Sequence, residues 1–589
     1  MNTPRNNVNE LTRIRAWYAI LILAIILVLI RLFYLQVIRY DHYSNLALSK
    51  QLKEYEIPAD RGNILVRDGN ATTPLVLNEI KYTLFADPIH IKDVPAVARA
   101  VNEVIDKDQS DIEKKLHSKS RYVVLAKKLD KAQKQKIDDL ELLGIGTREV
   151  PIRTYPQSTL AAQLLGFVDD EGEGKYGLEQ ALNNELKGTP GQLKAITDAQ
   201  GVPLASNKDN IVKDPKAGDS ILLTVDIGIQ KRLEDILKQG LEAAKSNSGG
   251  ALIMDPYNGE IKAMANYPTY NPSEFFKVEE KNQAVFANAT VSEPMEIGST
   301  MKPLTAAAAI DMGVVSKNTS YFDPSQIKVG DKTITNIEED GGAAQRTVAD
   351  ILQLSLNTGA TWLLMQMGGG EINATARSKW HEYLTDHYQF GKLTGIEQGY
   401  EATGYVPHPM DGFGLNITYA NTAFGQGISN TPIQLGAALS SVINGGTYFK
   451  PHLVQKRIKS SGEEIITKNT VIRENVVSKQ TSIDIRELME NVINKNYQVY
   501  GMNNLRPEFR IGGKTGTAEV PNQGGGYYDD RFNGTFIGYV GGDKPEYVII
   551  VRVNEPKIGG YAGAKAAAPI FVNLSNMLID SFGVTPKNQ

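Results

Sequence analysis

The apolar and polar positions of this chain form three regions: an apolar run near the N-terminus, a stretch of short strands and polar helices, and a long region with strands at both ends. Residues 16–30 are apolar throughout, and after Arg31 the run continues to Leu35. This is about the twenty residues that a bilayer-spanning helix needs, and Arg31, near one end, can extend to the interface. The pattern predicts a transmembrane anchor over residues 16–38.

Basic residues before the anchor indicate its orientation. Arg5, Arg13 and Arg15 precede the apolar run, against the single acidic residue Glu10. Because basic residues favour the cytoplasmic side, we expect residues 1–15 to form a short cytoplasmic tail and the remainder to be exported. A cleaved signal peptide is the alternative, but the run is long and no small-residue cleavage site follows it.

The region from 39 to 217 shows short apolar runs typical of strands and polar runs typical of surface helices. None of its patterns is typical of a catalytic site. A polar, turn-rich segment at 213–219 predicts a domain boundary, so that residues 39–217 form a pedestal domain and residues 218–589 a catalytic domain. The predicted strands are 64–66, 82–85 and 121–125, and the predicted helices are 111–116 and 132–142.

The region from 218 onward has strand patterns near its beginning and near its end, with mostly helical patterns between them. We expect these strands to form one antiparallel sheet flanked by helices, which is an α+β fold. The predicted strands are 221–225, 249–254, 261–265, 509–511, 535–540 and 547–553, and the helices predicted at the two ends are 226–244 and 565–582.

The composition excludes several kinds of function. The chain has no cysteine, which excludes disulfides, thiolate metal sites and cysteine catalysis. Its 7 histidines are scattered, without the HExxH spacing of zinc enzymes. A formal net charge of −4 gives no reason to expect a nucleic-acid partner. We therefore expect no metal, no cofactor and no nucleic acid.

Ser299 and Lys302 are candidates for a nucleophile and its base. Pro303 is tolerated only in the first turn of a helix, so a helix running on to residue 310 begins no earlier than about Ser299. Ser299 and Lys302 then share one face of that turn, and the positive end of the helix dipole favours an alkoxide. Lys302 can accept the proton if burial and neighbouring positive charge lower its pKa. The alternative is that Ser299 only caps the helix.

Ser355 and Asn357 form a second candidate motif after a helical run at 348–354. In a loop, this spacing directs both side chains into one cleft. Ser355 could then relay protons between Lys302 and Lys514, while Asn357 could hold a substrate amide and steady Lys302. The alternative is a turn-forming Ser-x-Asn without a catalytic role.

Lys514, Thr515, Gly516 and Thr517 form the third motif. In a strand Thr515 and Thr517 face the same way, and glycines let a ligand backbone approach closely. A lysine and two hydroxyls suit a terminal carboxylate, and the main-chain N–H groups of Thr517 and Ser299 could form an oxyanion hole. The alternative is an edge strand with an ordinary lysine.

The three motifs together are far more specific than any one of them, because they occur in the order expected for serine acyl transfer with a lysine base. With them the chain resembles the class B penicillin-binding proteins, which are membrane-anchored peptidoglycan transpeptidases. Further segments that carry the resemblance are 255–260, 263–268, 390–395, 425–427 and 431–434 in the catalytic region, and 61–64, 153–156, 177–179 and 186–191 in the pedestal.

The resemblance implies a reaction. Ser299 would attack the carbonyl between the two terminal D-alanines of a stem pentapeptide, with Lys302 taking its proton. The amine of a neighbouring stem would resolve the acyl-enzyme into a cross-link. Thr515 and Thr517, on a substrate-binding strand with Gly516, would hold the departing carboxylate, and β-lactams would trap Ser299.

The resemblance also implies a place in the cell. It indicates a bacterial inner membrane, with a SEDS-family glycosyltransferase and other division or elongation proteins as partners. Overall length and the segment at 390–391 favour the division septum, with lateral wall elongation as the alternative. A D,D-carboxypeptidase and a non-catalytic division scaffold are further alternatives, although the three intact motifs argue against the scaffold.

Overall fold

A computed structural model of the chain describes residues 7–43, 52–69, 71–120, 122–196, 211–336, 342–502, 506–522 and 524–588. The chain forms two compact units: residues up to 59 with 189–216, and residues 60–188 with 217 onward. Residues 1–6 of the predicted cytoplasmic tail and Arg121 of a predicted strand lie outside the described residues.

The strands are numbered in chain order. Those before residue 217 are β1 (Leu52–Ile57), β2 (Ile64–Asp68), β3 (Ala71–Ala86), β4 (Val123–Leu129), β5 (Ile145–Thr154), β6 (Phe167–Val168), β7 (Gly174–Lys175), β8 (Gly191–Ile196) and β9 (Ile211–Lys213). Those after it are β10 (Ser220–Asp226), β11 (Ser248–Met254), β12 (Ile261–Tyr267), β13 (Ser320–Asp323), β14 (Gln326–Val329), β15 (Lys332–Thr335), β16 (Ala344–Thr347), β17 (Tyr448–Phe449), β18 (Val454–Ile458), β19 (Glu464–Ile466), β20 (Val471–Arg473), β21 (Arg510–Pro521), β22 (Tyr527–Gly541) and β23 (Pro545–Asn554).

The helices are numbered in the same way. They are α1 (Asn7–Phe33), α2 (Val94–Ile105), α3 (Gln109–Leu116), α4 (Lys131–Asp139), α5 (Ala162–Leu165), α6 (Gly177–Ala181), α7 (Asn183–Lys187), α8 (Ile227–Ala243), α9 (Ala289–Ser292), α10 (Lys302–Asp311), α11 (Val348–Gln353), α12 (Asn357–Met367), α13 (Ala374–Glu382), α14 (Leu415–Thr422), α15 (Pro432–Ile443), α16 (Lys479–Asn496) and α17 (Ala568–Ser581). Short 3₁₀ or π-helical segments are Tyr34–Ile38, Pro88–His90, Pro272–Lys277, Glu280–Phe286, Gly298–Met301, Tyr383–His387 and Gly563–Ala567.

The smaller unit contains α1, which continues as a π-helical turn to Ile38, and a three-stranded antiparallel sheet in the order β1–β8–β9. Over Thr12–Ile38 the helical segment has a mean hydropathy of 2.7 and is long and apolar enough to cross a membrane. It is the one such helix among the described residues. This agrees with the predicted apolar helix and is consistent with a single-pass membrane protein.

The larger unit is built on a five-stranded antiparallel sheet in the order β12–β11–β23–β22–β21. β11 pairs with β12 on one side and with β23 on the other, so strands from both ends of the region share one sheet. α8 and α17 pack against each other and against this sheet, and so do α15 and α16. The expectation of an α+β fold with a central antiparallel sheet flanked by helices is confirmed.

A second sheet in the larger unit joins strands from both sides of the predicted boundary near residue 217. β10 pairs in parallel with β2 and antiparallel with β18, in the order β19–β18–β10–β2–β3–β4, and β5 also pairs with β3. The strand predicted at 221–225 is present, but it lies outside the central sheet in which we expected it. A buried apolar run predicts a strand without specifying its neighbours, and Ile221, Leu223 and Val225 are all buried.

Three of the pedestal segments meet in a buried ionic cluster. The Nε atoms of Arg61 and Arg153 each donate a hydrogen bond to the carboxylate of Glu179 at 2.7 Å. Arg61 also donates from Nη2 to the main-chain oxygen of Glu179 at 3.1 Å. The Glu179 side chain is 0% exposed and those of the arginines are at most 9% exposed. One carboxylate therefore holds together segments that are up to 118 positions apart in the sequence.

Glu179→Ala is expected to lower the free energy of unfolding by about 3 kcal/mol, because it leaves two buried guanidinium groups without a carboxylate. Urea or thermal unfolding of the purified protein measures the loss. Glu171→Ala, which removes an exposed carboxylate, serves as the control and should change stability by less than about 0.5 kcal/mol. A Glu179→Ala protein as stable as the wild type would contradict a structural role for the cluster.

Candidate active site

Ser299 lies in a 3₁₀ turn, Gly298–Met301, that leads directly into α10. Pro303 stands in the first turn of α10, as the sequence predicted. No side chain caps either helical segment by a hydrogen bond. The Oγ of Ser299 instead accepts a hydrogen bond from the Nζ of Lys302 at 2.9 Å. The alternative in which Ser299 only caps the helix is therefore wrong.

Two glycines bring the main chain of this turn close to β21. Gly298 has a φ of +53°, and a Cβ there would lie 2.6 Å from the main-chain oxygen of Thr517. A Cβ on Gly516 would lie 2.5 Å from the main-chain oxygen of Ile297. A side chain at either position would force the turn and the strand apart. This contact adds a packing reason for Gly516 to the substrate-binding role expected of it.

Lys302 is 0% exposed, and acceptors from two motifs surround its Nζ. Besides Ser299, this amine donates to the Oδ1 of Asn357 at 2.8 Å and to the Oγ of Ser355 at 3.2 Å. It also contacts the main-chain oxygen of Ser355. The structure thus brings the first two sequence motifs together at one amine.

Ser355 occupies the bend between α11 and α12. Its φ is +62°, a left-handed conformation that is uncommon for a residue other than glycine. Leu356 is extended, and Asn357 is the first residue of α12. The expectation that both polar residues lie in a loop is wrong for Asn357, because the turn after Ser355 is tight enough for a helix to begin there. The amide of Asn357 also donates to the main-chain oxygen of Thr335 at 3.2 Å, which orients it.

Lys514 reaches the site from β21, which is the edge strand of the central sheet. Its side chain is 1% exposed. Its Nζ donates to the Oγ of Ser355 at 3.0 Å and to the main-chain oxygen of Thr515 at 3.0 Å. The Oγ of Ser355 therefore lies between the amines of Lys302 and Lys514, which is the position that a proton relay requires.

The electrostatics of the site favour neutral amines. Burial lowers the pKa of Lys302 well below its ordinary value, and the positive charge of Lys514 lowers it further. Burial also lowers the pKa of Lys514 to about 7. Among the described residues no carboxylate counteracts these shifts. The amine next to the Oγ of Ser299 therefore loses its proton more readily than that of an ordinary lysine, as a proton acceptor requires.

Ser299 borders a cleft of about 520 Å³, and β21 forms part of its wall. Thr515 and Thr517 line this cleft from the same face of the strand and are partly exposed. The Oγ1 of Thr517 accepts a hydrogen bond from the main-chain N–H of Gly563 at 3.1 Å. Two hydroxyls thus face the nucleophile side by side. In the part of the chain that the structure describes, no group of His, Asp or Glu side chains could hold a metal ion.

Sequence reasoning missed much of the cleft wall. Phe424, Tyr500 and Phe532 line it from a loop, from the residues after α16 and from β22. These positions are remote in the chain, so no spacing relates them to the motifs. Glu519 is different, because it follows Thr517 by two positions on the same face of β21. Strand alternation could have identified it.

Comparison with protein families gives two matches. Residues 249–576 match the penicillin-binding protein transpeptidase domain, and residues 56–223 match the penicillin-binding protein dimerisation domain. Stage V sporulation protein D of Bacillus subtilis (strain 168) is 31% identical over 99% of this chain and 88% of its own length. Peptidoglycan D,D-transpeptidase FtsI of Escherichia coli (strain K12) is 26% identical over 96% of this chain and 91% of its own length.

The fold is also similar to solved structures. Penicillin-binding protein 2X from Streptococcus thermophilus aligns with a TM-score of 0.73 and 24% identity, over 90% of this chain and 81% of that one. Penicillin-binding protein 3 from Mycobacterium tuberculosis aligns with a TM-score of 0.68 and 24% identity, over 90% and 98%. At such identity the likeness establishes the fold, and the chemistry must be argued from the site itself.

Proposed function

We propose a role for each residue of this site on the premise that the chain belongs to the class B penicillin-binding proteins, the peptidoglycan D,D-transpeptidases. Members of this family cross-link the stem peptides of peptidoglycan and bind β-lactams. The observation that carries the proposal is the 2.9 Å contact between the Nζ of Lys302 and the Oγ of Ser299. It supports a base beside a nucleophile, because no carboxylate among the described residues acts on the amine of Lys302.

The first half of the proposed reaction acylates Ser299. Its Oγ attacks the carbonyl carbon between the two terminal D-alanines of a donor stem, and its proton passes to Lys302. The oxyanion accepts hydrogen bonds from the main-chain N–H groups of Ser299 and Thr517, and each such donor stabilises the transition state by about 3 kcal/mol. The C–N bond then breaks. Lys302 gives the proton that it received to Ser355, Ser355 passes its own proton to the amine of the leaving D-alanine, and an ester on Ser299 remains.

The donor is held at its terminal carboxylate and at its amide. We assign the carboxylate to the hydroxyls of Thr515 and Thr517 together with Lys514, and we include Gly516 because it holds this strand against the turn of Ser299. Asn357 has the role of holding a substrate amide while it orients Lys302. These assignments rest on the position of β21 along one wall of the cleft.

The second half of the reaction forms the cross-link. The amine of a neighbouring stem attacks the ester carbonyl and transfers a proton to Lys302. The bond to Ser299 breaks, and its Oγ takes that proton back. Water is the competing nucleophile, and transfer to it would make the enzyme a D,D-carboxypeptidase. The aromatic side chains of Phe424 and Phe532 in the cleft wall favour the amine because they limit the space open to water.

Ser299→Ala is expected to abolish labelling by a fluorescent penicillin, because it removes the hydroxyl that the β-lactam would acylate. Fluorescence after denaturing electrophoresis measures the label, and thermal unfolding checks that the variant is folded. Ser460→Ala, which changes an exposed serine, should label as the wild type does. A folded Ser299→Ala protein that still labels covalently would refute the assignment.

The rate of penicillin acylation is expected to fall on acidification, because protonated Lys302 cannot act as a base. Because burial holds the pKa of Lys302 well below its ordinary value of 10.5, the rate should level off well below pH 10.5. Stopped-flow measurements from pH 5 to 9 test this. A rate that still rises about tenfold per pH unit at pH 9 would show an ordinary lysine. Lys302→Arg stays protonated and should be unreactive throughout.

The cellular role that we propose is wall synthesis at the division septum, which the similarity to the transpeptidase FtsI supports. Sporulation is a second candidate, favoured by the relative named Stage V sporulation protein D. The topology that we infer has the N-terminus in the cytoplasm and the larger unit outside the inner membrane, because Arg13 and Arg15 precede the apolar segment.

The partner that we propose is a polytopic SEDS-family glycosyltransferase. The two matched domains are a transpeptidase domain and a dimerisation domain, which supports a partner that polymerises the strands this chain would cross-link. The full-length chain, tagged and extracted in mild detergent, is expected to retain this polymerase, which mass spectrometry would identify. A chain whose apolar segment is replaced by an unrelated membrane helix serves as the comparison. Recovery of the chain without any glycosyltransferase would contradict the proposed partnership.

A further inference from the structure

Glu519 gives the cleft a negative charge beyond the proposed carboxylate site. It follows Thr517 by two positions on the same face of β21, so it lies about 7 Å further along the strand. Among the described residues that line the cleft, it is the only one with a charged side chain. Lys514 stands on the other side of Thr517 along β21, and the Oγ of Ser355 lies between its amine and that of Lys302. The charge of the cleft wall therefore lies at Glu519, away from the two buried amines.

The carboxylate of Glu519 is available to a ligand. Its side chain is partly exposed, and within the described part of the chain it forms no ion pair. Its contact with the Nε2 of Gln426 is long, at 3.4 Å. A carboxylate that faces a substrate cleft with one weak partner retains acceptor capacity for an incoming donor.

An aromatic side chain accompanies this carboxylate. Phe532 lies directly opposite Glu519 in the antiparallel pairing of β21 with β22, and it lines the same cleft. Directly opposed residues have Cβ atoms about 5 Å apart, so the two side chains are neighbours on one face. A carboxylate beside an aromatic ring is a combination that recognises an ammonium group, through an ion pair and a cation–π contact.

Neighbouring groups hold this end of the cleft together. The Oε1 of Glu296 accepts hydrogen bonds from the hydroxyl of Tyr527 at 2.8 Å and from the main-chain N–H of Gly427 at 2.9 Å. These contacts join the tip of the β21–β22 hairpin to the loop that carries Gln426. Burial raises the pKa of Glu296, and the charge of Glu519 contributes to that shift. A second carboxyl group therefore lies near Glu519, and it is more readily protonated than an ordinary glutamate.

We propose that Glu519 and Phe532 form a subsite for a primary ammonium group of a peptidoglycan stem peptide. The inference rests on the proposed function and adds a specificity determinant to it. The negative charge of Glu519, two residues beyond Thr517, would repel the terminal carboxylate of the stem peptide, so this end of the cleft does not bind that carboxylate. A stem peptide whose terminal carboxylate binds at Thr515 and Thr517 and whose ammonium group binds at Glu519 would complement both sites.

The ammonium has two sources in the reaction. One is the nucleophilic amine of the acceptor stem, which is protonated in solution before it attacks. The other is the same side-chain amine on the donor stem, because donor and acceptor are copies of one polymer. Both sources present the same primary ammonium group, but each affects a different step of the reaction. Donor recognition affects acylation of Ser299, whereas acceptor recognition affects only how the acyl-enzyme is resolved.

The test uses purified full-length protein with Glu519→Gln, which removes the charge and keeps the shape. One arm measures D-alanine release from a stem pentapeptide with a free side-chain amine and from its N-acetylated form. The other arm measures the ratio of transfer to hydrolysis with an amine-bearing stem tetrapeptide as acceptor, and with hydroxylamine, which is uncharged at neutral pH. Glu474→Gln removes an exposed carboxylate that does not line the cleft and serves as the matched control.

If the donor supplies the ammonium, the wild type should prefer the free pentapeptide over its acetylated form by about tenfold in kcat/KM, and Glu519→Gln should erase that preference. If the acceptor supplies it, Glu519→Gln should lower the transfer-to-hydrolysis ratio by about tenfold with the tetrapeptide but not with hydroxylamine. Glu519→Asp keeps the charge and should retain most of either effect, and Phe532→Leu should show a smaller loss in the same arm.

A Glu519→Gln enzyme that matches the wild type in both arms would overturn the subsite, and so would an equal loss in Glu474→Gln. Neither result affects the assignment of Ser299, because wild-type turnover is measured in the same experiment. A wild-type protein that labels with penicillin but releases no D-alanine from any stem peptide would instead overturn the proposed function, and the subsite with it.

Discussion

The burial of two lysine amines without a carboxylate partner is the constraint on which the site depends. Removing an ammonium from water costs several kcal/mol, so the fold favours a neutral amine or a shared proton. The amines of Lys302 and Lys514 donate hydrogen bonds to hydroxyl, amide and main-chain oxygens. These acceptors satisfy the amines without charging them. A carboxylate in place of Asn357 would keep Lys302 protonated and remove the base while leaving the packing nearly unchanged.

The chemistry of the first and third motifs could be predicted from short spacings because each lies within one continuous helical or strand segment. Ser299 and Lys302 share a helical turn, and Thr515 and Thr517 share a strand face, so helix and strand periodicity were sufficient. The meeting of these elements could be inferred only from a resemblance and from the order of the motifs. Asn357 was placed in a loop, since its polar side chain gives no periodic signal at the point where α12 begins.

Strands could be predicted where a buried apolar run is sufficient to identify them. The partner of each strand in a sheet could not be predicted from such a run. The central sheet followed from apolar strands at both ends of the region, whereas β10 has the same composition and pairs with β2 instead. The cluster of Arg61, Arg153 and Glu179 shows the same limit, because its members lie in separate segments whose contact no local pattern encodes. A similar structure at 24% identity keeps this architecture, so pairing and packing tolerate wide sequence change.

The glycines at 298 and 516 have a consequence for drug escape. At these glycines the main chain of the Ser299 turn packs directly against the main chain of β21. A substitution therefore cannot change the contact surface there without separating the two segments. A covalent inhibitor that touches only these backbone atoms and the reacting hydroxyl leaves the bacterium few substitutions with which to evade it. Resistance would have to arise from the walls of the cleft away from this contact, which are lined by side chains.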